Sequence, residues 1–224
     1  MKKVIFTILI LTFVLTLSFF SNTSEATSSL MENTVKVNIP RFENWDNNPV
    51  LIEINKNLYD KAYLNFKSWL DPADEGDVQP TPERFDIAEY HSDYALSYCK
   101  NDIYSFVFVE YVYPFRAAHG SSLMVGYTFN IKDAKEYQLK DFFKEGSNWK
   151  EYINDYIKKE IKEKEIPIFD VTPFESINEN QEFYIGSDSL VIFFQQYAYT
   201  AYAYGFLKFE ISYESLKDYL KLDL

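Results

Sequence analysis

Residues 103–113, IYSFVFVEYVY, are apolar or aromatic on both faces, and this constrains the fold more than any other stretch of the chain. In an extended strand Ile103, Ser105, Val107, Val109, Tyr111 and Tyr113 share one side, while Tyr104, Phe106, Phe108, Glu110 and Val112 share the other. A strand with two apolar faces has to be covered twice, so a helix on one side and more protein on the other are expected. Residues 85–98 are similarly β-branched and aromatic, and Lys100-Asn101-Asp102 between the two runs is a turn signal. Together they predict a long antiparallel hairpin.

Other elements fall in place around it. Thr34–Ile39, TVKVNI, alternates apolar and polar residues like a half-buried strand. A helix is expected after Asn48, which can cap it, with Pro49 at the first helical position. Leu51, Ile54, Leu58, Ala62, Phe66 and Trp69 recur at spacings of three and four and mark its core face. Residues 71–86 carry three prolines, a glycine and six carboxylates and read as a solvated loop. A strand is expected at 123–129, a short helical piece at 139–144, and an amphipathic helix at 149–164. Strands at 182–185, 190–197 and 207–213 and a helix at 214–222 complete the pattern.

The chain opens Met1-Lys2-Lys3, runs through seventeen uncharged, mostly apolar residues at 4–20, and then turns polar. That is the layout of a secretory signal peptide, with small residues at Ser24 and Ala26 placing cleavage after Ala26. A membrane anchor through residues 4–20 is the alternative. Removing residues 1–26 takes away Lys2, Lys3 and Glu25 and moves the net charge from −12 to −13. So acidic a chain is a poor match for nucleic acid, stays soluble, and attracts basic partners. Cys99 is the only cysteine, so no intramolecular disulfide can form and the fold rests on its core.

Few motifs carry chemistry. The run Asp71 to Asp77 has the Asp and Gly of the first half of a calcium loop, but Ala73 and Pro82 stand where two of its ligands belong. Two histidines and one cysteine leave too few ligands for zinc, and no cofactor motif is present. His119, in FRAAHGSS at 115–122, sits next to Gly120 and two serines and is the candidate acid or base of a hydrolase. Without an identifiable partner it reads better as a structural corner. The segment QQYAYTAYAYG at 195–205 presents Tyr197, Tyr199, Tyr202 and Tyr204. If extended, each pair shows two phenols on one face, suited to stacking on sugars or anchoring a protein. His119, Gly120 and these four tyrosines are the candidate binding residues, and no catalytic residue is assigned.

The order of AAHG, a strand, NIKDAKEYQLKDFF, the helix WKEYINDYIKKEI, FYIGSDSLVIFFQQYAYTAYAYG and FEISYESLKDYL resembles the RsiV-like C-terminal domain family. Residues 35–112 are similar to the companion domain that precedes it. This family occurs at the outer end of lysozyme-sensing anti-sigma factors and beside a cell-wall polysaccharide deacetylase domain. The resemblance implies an α+β fold, an antiparallel sheet with helices packed on it, in two intimately joined subdomains at 27–114 and 115–224. It also implies a non-enzymatic binding or sensing role at the bacterial envelope, toward a lysozyme-like basic protein or a peptidoglycan glycan. The alternatives are a cell-wall hydrolase using His119 as acid or base and a structural envelope module that assembles with its neighbours. Only Met1-Lys2-Lys3 precede the apolar run, so a sigma factor is not expected as partner. Ala201 stands where relatives commonly have proline.

Overall fold

The computed structural model describes residues 9–13, 34–43, 47–70, 87–222 and 224. The calcium-like run at 71–77 lies outside the described residues, as does the apolar run at 4–20 apart from its residues 9–13. The described strands form two sheets. The first has the order β1 (Leu9–Phe13), β2 (Thr34–Ile39), β3 (Ile87–Lys100), β4 (Ile103–Pro114) and β5 (Ser121–Asn130). All neighbours in it are antiparallel except β2 and β3. The second sheet is β6 (Phe183–Ile185), β7 (Ser189–Phe194) and β8 (Leu207–Ser212), antiparallel throughout.

The expected hairpin is present, from Lys100↔Ile103 to Ile87↔Pro114, with Asn101 and Asp102 both at positive φ in its turn. The even-numbered face of β4 is covered along the strand, whereas on the odd-numbered face full burial ends at Ser105 and Val109 is exposed. Helix α1 (Pro49–Leu70) lies on the even-numbered face, where Ile54, Leu58 and Phe42 meet Tyr104, Phe106, Phe108, Tyr127 and Phe129. Its N-terminus is capped by Asn48, whose Oδ1 accepts from the Val50 and Leu51 amides at 3.0 and 3.4 Å. The opposite face is covered at the Ile103 end by the second core, which the second sheet builds with α2 (Trp149–Glu163), a 3-10 turn at Leu139–Phe142 and the short α3 (Tyr213–Leu216).

A register shift between Leu96 and Tyr98 leaves Ser97 as an extra residue in β3. Leu96 pairs with Phe106 on the α1 face, yet Tyr98 pairs with Ser105 and joins the second core. The bulge at Ser97 therefore puts Tyr98 on the face opposite to the one that strict alternation would give it.

The sheets meet where β6 crosses β5. A Cβ on Gly126 would lie 1.9 Å from the Phe183 carbonyl oxygen, so only glycine allows this approach. Ser105 and Thr128 share a buried hydroxyl hydrogen bond of 2.9 Å, and the Ile185 amide donates to Ser105 Oγ at 3.3 Å. The turn at 115–120, where the two subdomains are expected to divide, joins β4 to β5, which are neighbours in one sheet.

Two expected elements differ. The helix at 214–222 is helical only over Tyr213–Leu216. Beyond it the backbone pairs with 142–144 instead, the Lys144 amide donating to Tyr219 O at 2.8 Å and the Lys221 amide to Phe142 O at 2.9 Å. The strand at 190–197 stops at Phe194, and Tyr197 adopts a φ of 65° that no strand continues through. The tyrosine segment is therefore not extended. It forms turns and a 3-10 turn at Tyr202–Tyr204. Among the described residues no helix is long and apolar enough to cross a membrane.

Candidate functional site

The tyrosine segment is docked by the two glutamines that begin it. Gln195 behaves like one residue of a β-strand laid along the free edge of β5: its Oε1 accepts from the Met124 amide at 3.0 Å and its Nε2 donates to the Met124 carbonyl at 2.7 Å. Gln196 Oε1 accepts from the Ser122 amide at 3.2 Å. Gln195 Nε2 also donates to Glu182 Oε2 at 2.5 Å. Burial raises the Glu182 carboxyl above its usual range, and this hydrogen bond pulls it partly back.

Seated there, the segment divides. Tyr199 turns inward, edge-on to Phe194 at 4.9 Å and Phe174 at 5.7 Å, and belongs to the second core. Tyr204 is exposed in the 3-10 turn. Tyr197 and Tyr202 face the turn at 115–120. Tyr202 stacks on His119, centroids 4.5 Å apart and planes 29° apart, and Tyr197 lies 5.6 Å from Tyr202 at 32°.

His119 is exposed, and its Nδ1 lies 2.8 Å from the carbonyl oxygen of Gly120. A carbonyl only accepts, so Nδ1 carries the hydrogen in this contact. Among the described residues no hydroxyl or carboxylate is hydrogen-bonded to this ring, so the partner that acid–base hydrolysis needs is not assembled at His119. Gly120 has its own reason to be glycine, because a Cβ there would lie 2.3 Å from the Tyr111 ring. The same turn is braced by the Ala117 amide donating to Pro114 O at 3.1 Å and by Tyr113 OH donating to Ala117 O at 2.9 Å.

Tyr111 extends the site to residues that sequence reasoning missed. His91 of β3 stands directly across from it in the ladder, the rings 6.5 Å apart, and His91 Nε2 is 2.5 Å from Glu89 Oε1. Partial burial, then the charge of Glu89, then the nearby Tyr202 and Tyr113 phenols push the Tyr111 hydroxyl above its usual range. Both histidines of the chain thus join one surface, running His91, Tyr111, Tyr202, His119 with Tyr197 at its end and Glu89 at its side. The detectable signal for His91 was its alternation in β3, which puts it on the side of the sheet that α1 does not cover. Its partners are set by pairing to β4, which spacing along the chain does not reveal.

Of the expected residues, then, His119, Gly120, Tyr197 and Tyr202 come together, Tyr204 is exposed in the same 3-10 turn as Tyr202, and Tyr199 does not take part. No group of three or more His, Cys, Asp or Glu side chains that could hold a metal exists among the described residues.

The fold and site define an α+β protein of two sheets with a ring-lined surface at their junction. Residues 140–214 match a family model described as a protein of unknown function, DUF3298. The matched stretch holds α2, the second sheet and the tyrosine segment, and leaves His91, Tyr111 and His119 outside it. The chain is also similar in structure to a DUF3298 family member from Bacteroides fragilis NCTC 9343, with a TM-score of 0.62, 13% identity, and coverage of 98% of this chain and 94% of that one. A DUF3298 family protein from Pseudomonas aeruginosa PAO1 gives the same TM-score at 11% identity, covering 98% and 95%. At such identity the likeness is one of fold. No curated protein matches the chain.

Proposed function

We propose that this chain is an extracytoplasmic, non-enzymatic binding module of the RsiV-like kind, and that the surface from His91 to Tyr197 takes a basic protein such as a lysozyme. The supporting observation is the convergence of both histidines, Tyr111, Tyr197, Tyr202 and Glu89 on one surface. Tyrosine faces attract ammonium and guanidinium groups, and Glu89 adds a carboxylate for a charge-assisted bond. The net charge of −12 draws a basic partner toward the surface before contact.

Titration calorimetry against a lysozyme tests this. Association is expected at low ionic strength and should weaken by tenfold or more between about 10 mM and about 1 M salt, as the Debye length falls from about 30 to about 3 Å. Tyr202→Ala should weaken it further at fixed salt, because it removes the ring between His119 and Tyr197. No heat at micromolar concentrations would overturn the proposal.

A second reading rests on the Tyr197–Tyr202 pair, one ring exposed and the other half-buried, since two phenols 5.6 Å apart at 32° also form a stacking platform for sugar rings of a cell-wall glycan. Retention of the protein on purified peptidoglycan that persists at high salt and is lost in Tyr202→Ala would favour the glycan over the basic protein.

A further inference from the structure

β2 is hydrogen-bonded to β3 along one side, and its other edge is taken by β1 in the register Leu9↔Ile39, Leu11↔Val37, Phe13↔Val35. β1 lies inside the apolar run that export would remove after Ala26, and the pairing inferred for the processed chain rests on that removal. Without β1, β2 becomes an edge strand with a row of open backbone donors and acceptors. We infer that a second copy of the processed chain takes the place of β1, the two β2 strands pairing antiparallel across a twofold axis at Val37.

The register of the strand favours its own copy as occupant. Centred on Val37, a twofold pair sets Val37 against Val37, Val35 against Ile39, and Lys36 against Asn38. Ile39, Val37 and Val35 then stand where Phe13, Leu11 and Leu9 stand in the full chain, and Asn38 stands where Thr12 does. The apolar ladder is kept, and Lys36, the only charge of the strand, meets a neutral amide. No proline or glycine interrupts Thr34–Ile39.

The neighbouring helix supplies the second observation. Val35 is aligned with Tyr90 of β3, against which Phe66 of α1 packs at 4.8 Å, so this side of the helix overhangs β3 and β2. Lys61, toward the opposite side, reaches Tyr127 of β5 and Glu136. The overhanging side also carries Ile52, Tyr59 and Tyr63, exposed by 40, 53 and 55% although apolar or aromatic. A twofold axis at β2 brings two such patches to either side of the seam, so one event satisfies the strand edge and covers the exposed rings.

The test uses the full chain exported by an expressing bacterium, with its N-terminus read by mass spectrometry. Cys99, exposed and single, is first replaced by serine. In that background Val37→Cys should oxidise to a covalent dimer, because residues meeting at the axis lie about 4.5–5.5 Å apart at Cα, within disulfide reach. Val35→Cys alone should not, since it faces Ile39, and adding Ile39→Cys should restore the link. Light scattering should show the processed chain as a dimer and a leader-retaining chain as a monomer. Val37→Lys, which sets like charges against each other, should raise the dissociation constant about tenfold or more with unchanged circular dichroism. A processed chain that stays monomeric at ~100 μM, far above the range of stable interfaces, overturns the dimer alone. Val35→Cys linking as fast as Val37→Cys overturns the register and hence the dimer. A purified product that keeps residues 1–26 overturns the processing reading, and the dimer with it.

Discussion

Glu110 shows how a single residue can be at odds with its surroundings. It has no exposed surface, and it sits in the α1 face of β4 among Phe108, Tyr90 and Tyr127. Asn65 Nδ2 donates to its Oε1 at 2.7 Å and Trp69 Nε1 to its Oε2 at 3.4 Å, which ties the last turns of α1 to the sheet. Burial raises the carboxyl above its usual range, and these bonds pull it only partly back. A carboxyl raised in the folded state holds its proton more tightly there than in the unfolded chain. Its contribution is full below the ordinary value of 4.5 and is lost as pH rises through the higher folded value. Glu110→Gln should therefore remove part of the fall in melting temperature above pH 4.5, so that the variant gains on the native chain as pH rises. Parallel melting curves across that range would refute the argument. The alternation of β4 already placed Glu110 among aromatic rings. Its partners lie 45 and 41 residues away along the chain, a relation that only packing creates.

Elements were legible in proportion to how far local chemistry governs them. The hairpin, α1 and α2 follow from alternation, capping and helical spacing, and the structure has all three. The tyrosine segment does not follow, because a side chain that imitates backbone ends β7. Gln195 offers Met124 the donor and acceptor a strand would offer, and the chain is then free to turn. Alanine in its place leaves the Met124 amide and carbonyl and a half-buried Glu182 without their partner. Gln195→Ala should cost about 2–3 kcal/mol in denaturant unfolding, the sum of two or three hydrogen bonds at about 1 kcal/mol each. It should also release Tyr202 from His119, seen as loss of near-ultraviolet dichroism. A variant with native stability and native dichroism would mean that the edge of β5 needs no such clasp.

At the scale of the molecule, the two cores are not separable bodies. β3 and β4 line both of them, and β6 crosses directly on β5 at Gly126. Damage to either core should therefore be felt by the whole. Leu58→Ala in the first core and Ile192→Ala in the second should each cost about 2–5 kcal/mol and shift one common transition. Two resolved calorimetric peaks, only one of which moves, would show the cores to unfold independently. Composition foretold that stability would rest on packing, given a single cysteine, and the aromatic runs foretold where. That one strand pair would serve both cores was hidden, because it depends on a shift of register invisible in alternation.

That shift sets where the chain can change in length over evolution. Ser97 is left out of the ladder, so Tyr98 faces the second core although it stands two residues after Leu96, which faces α1. Deleting it would make Tyr98 follow Leu96 directly, and ordinary alternation would then leave Tyr98 opposite Ser105 on the face it already occupies. The deletion removes the bulge and keeps every face between it and the turn at Asn101 and Asp102. Single-residue differences in length among related chains should therefore collect at this bulge, and chains with or without the extra residue should keep a large ring opposite Ser105.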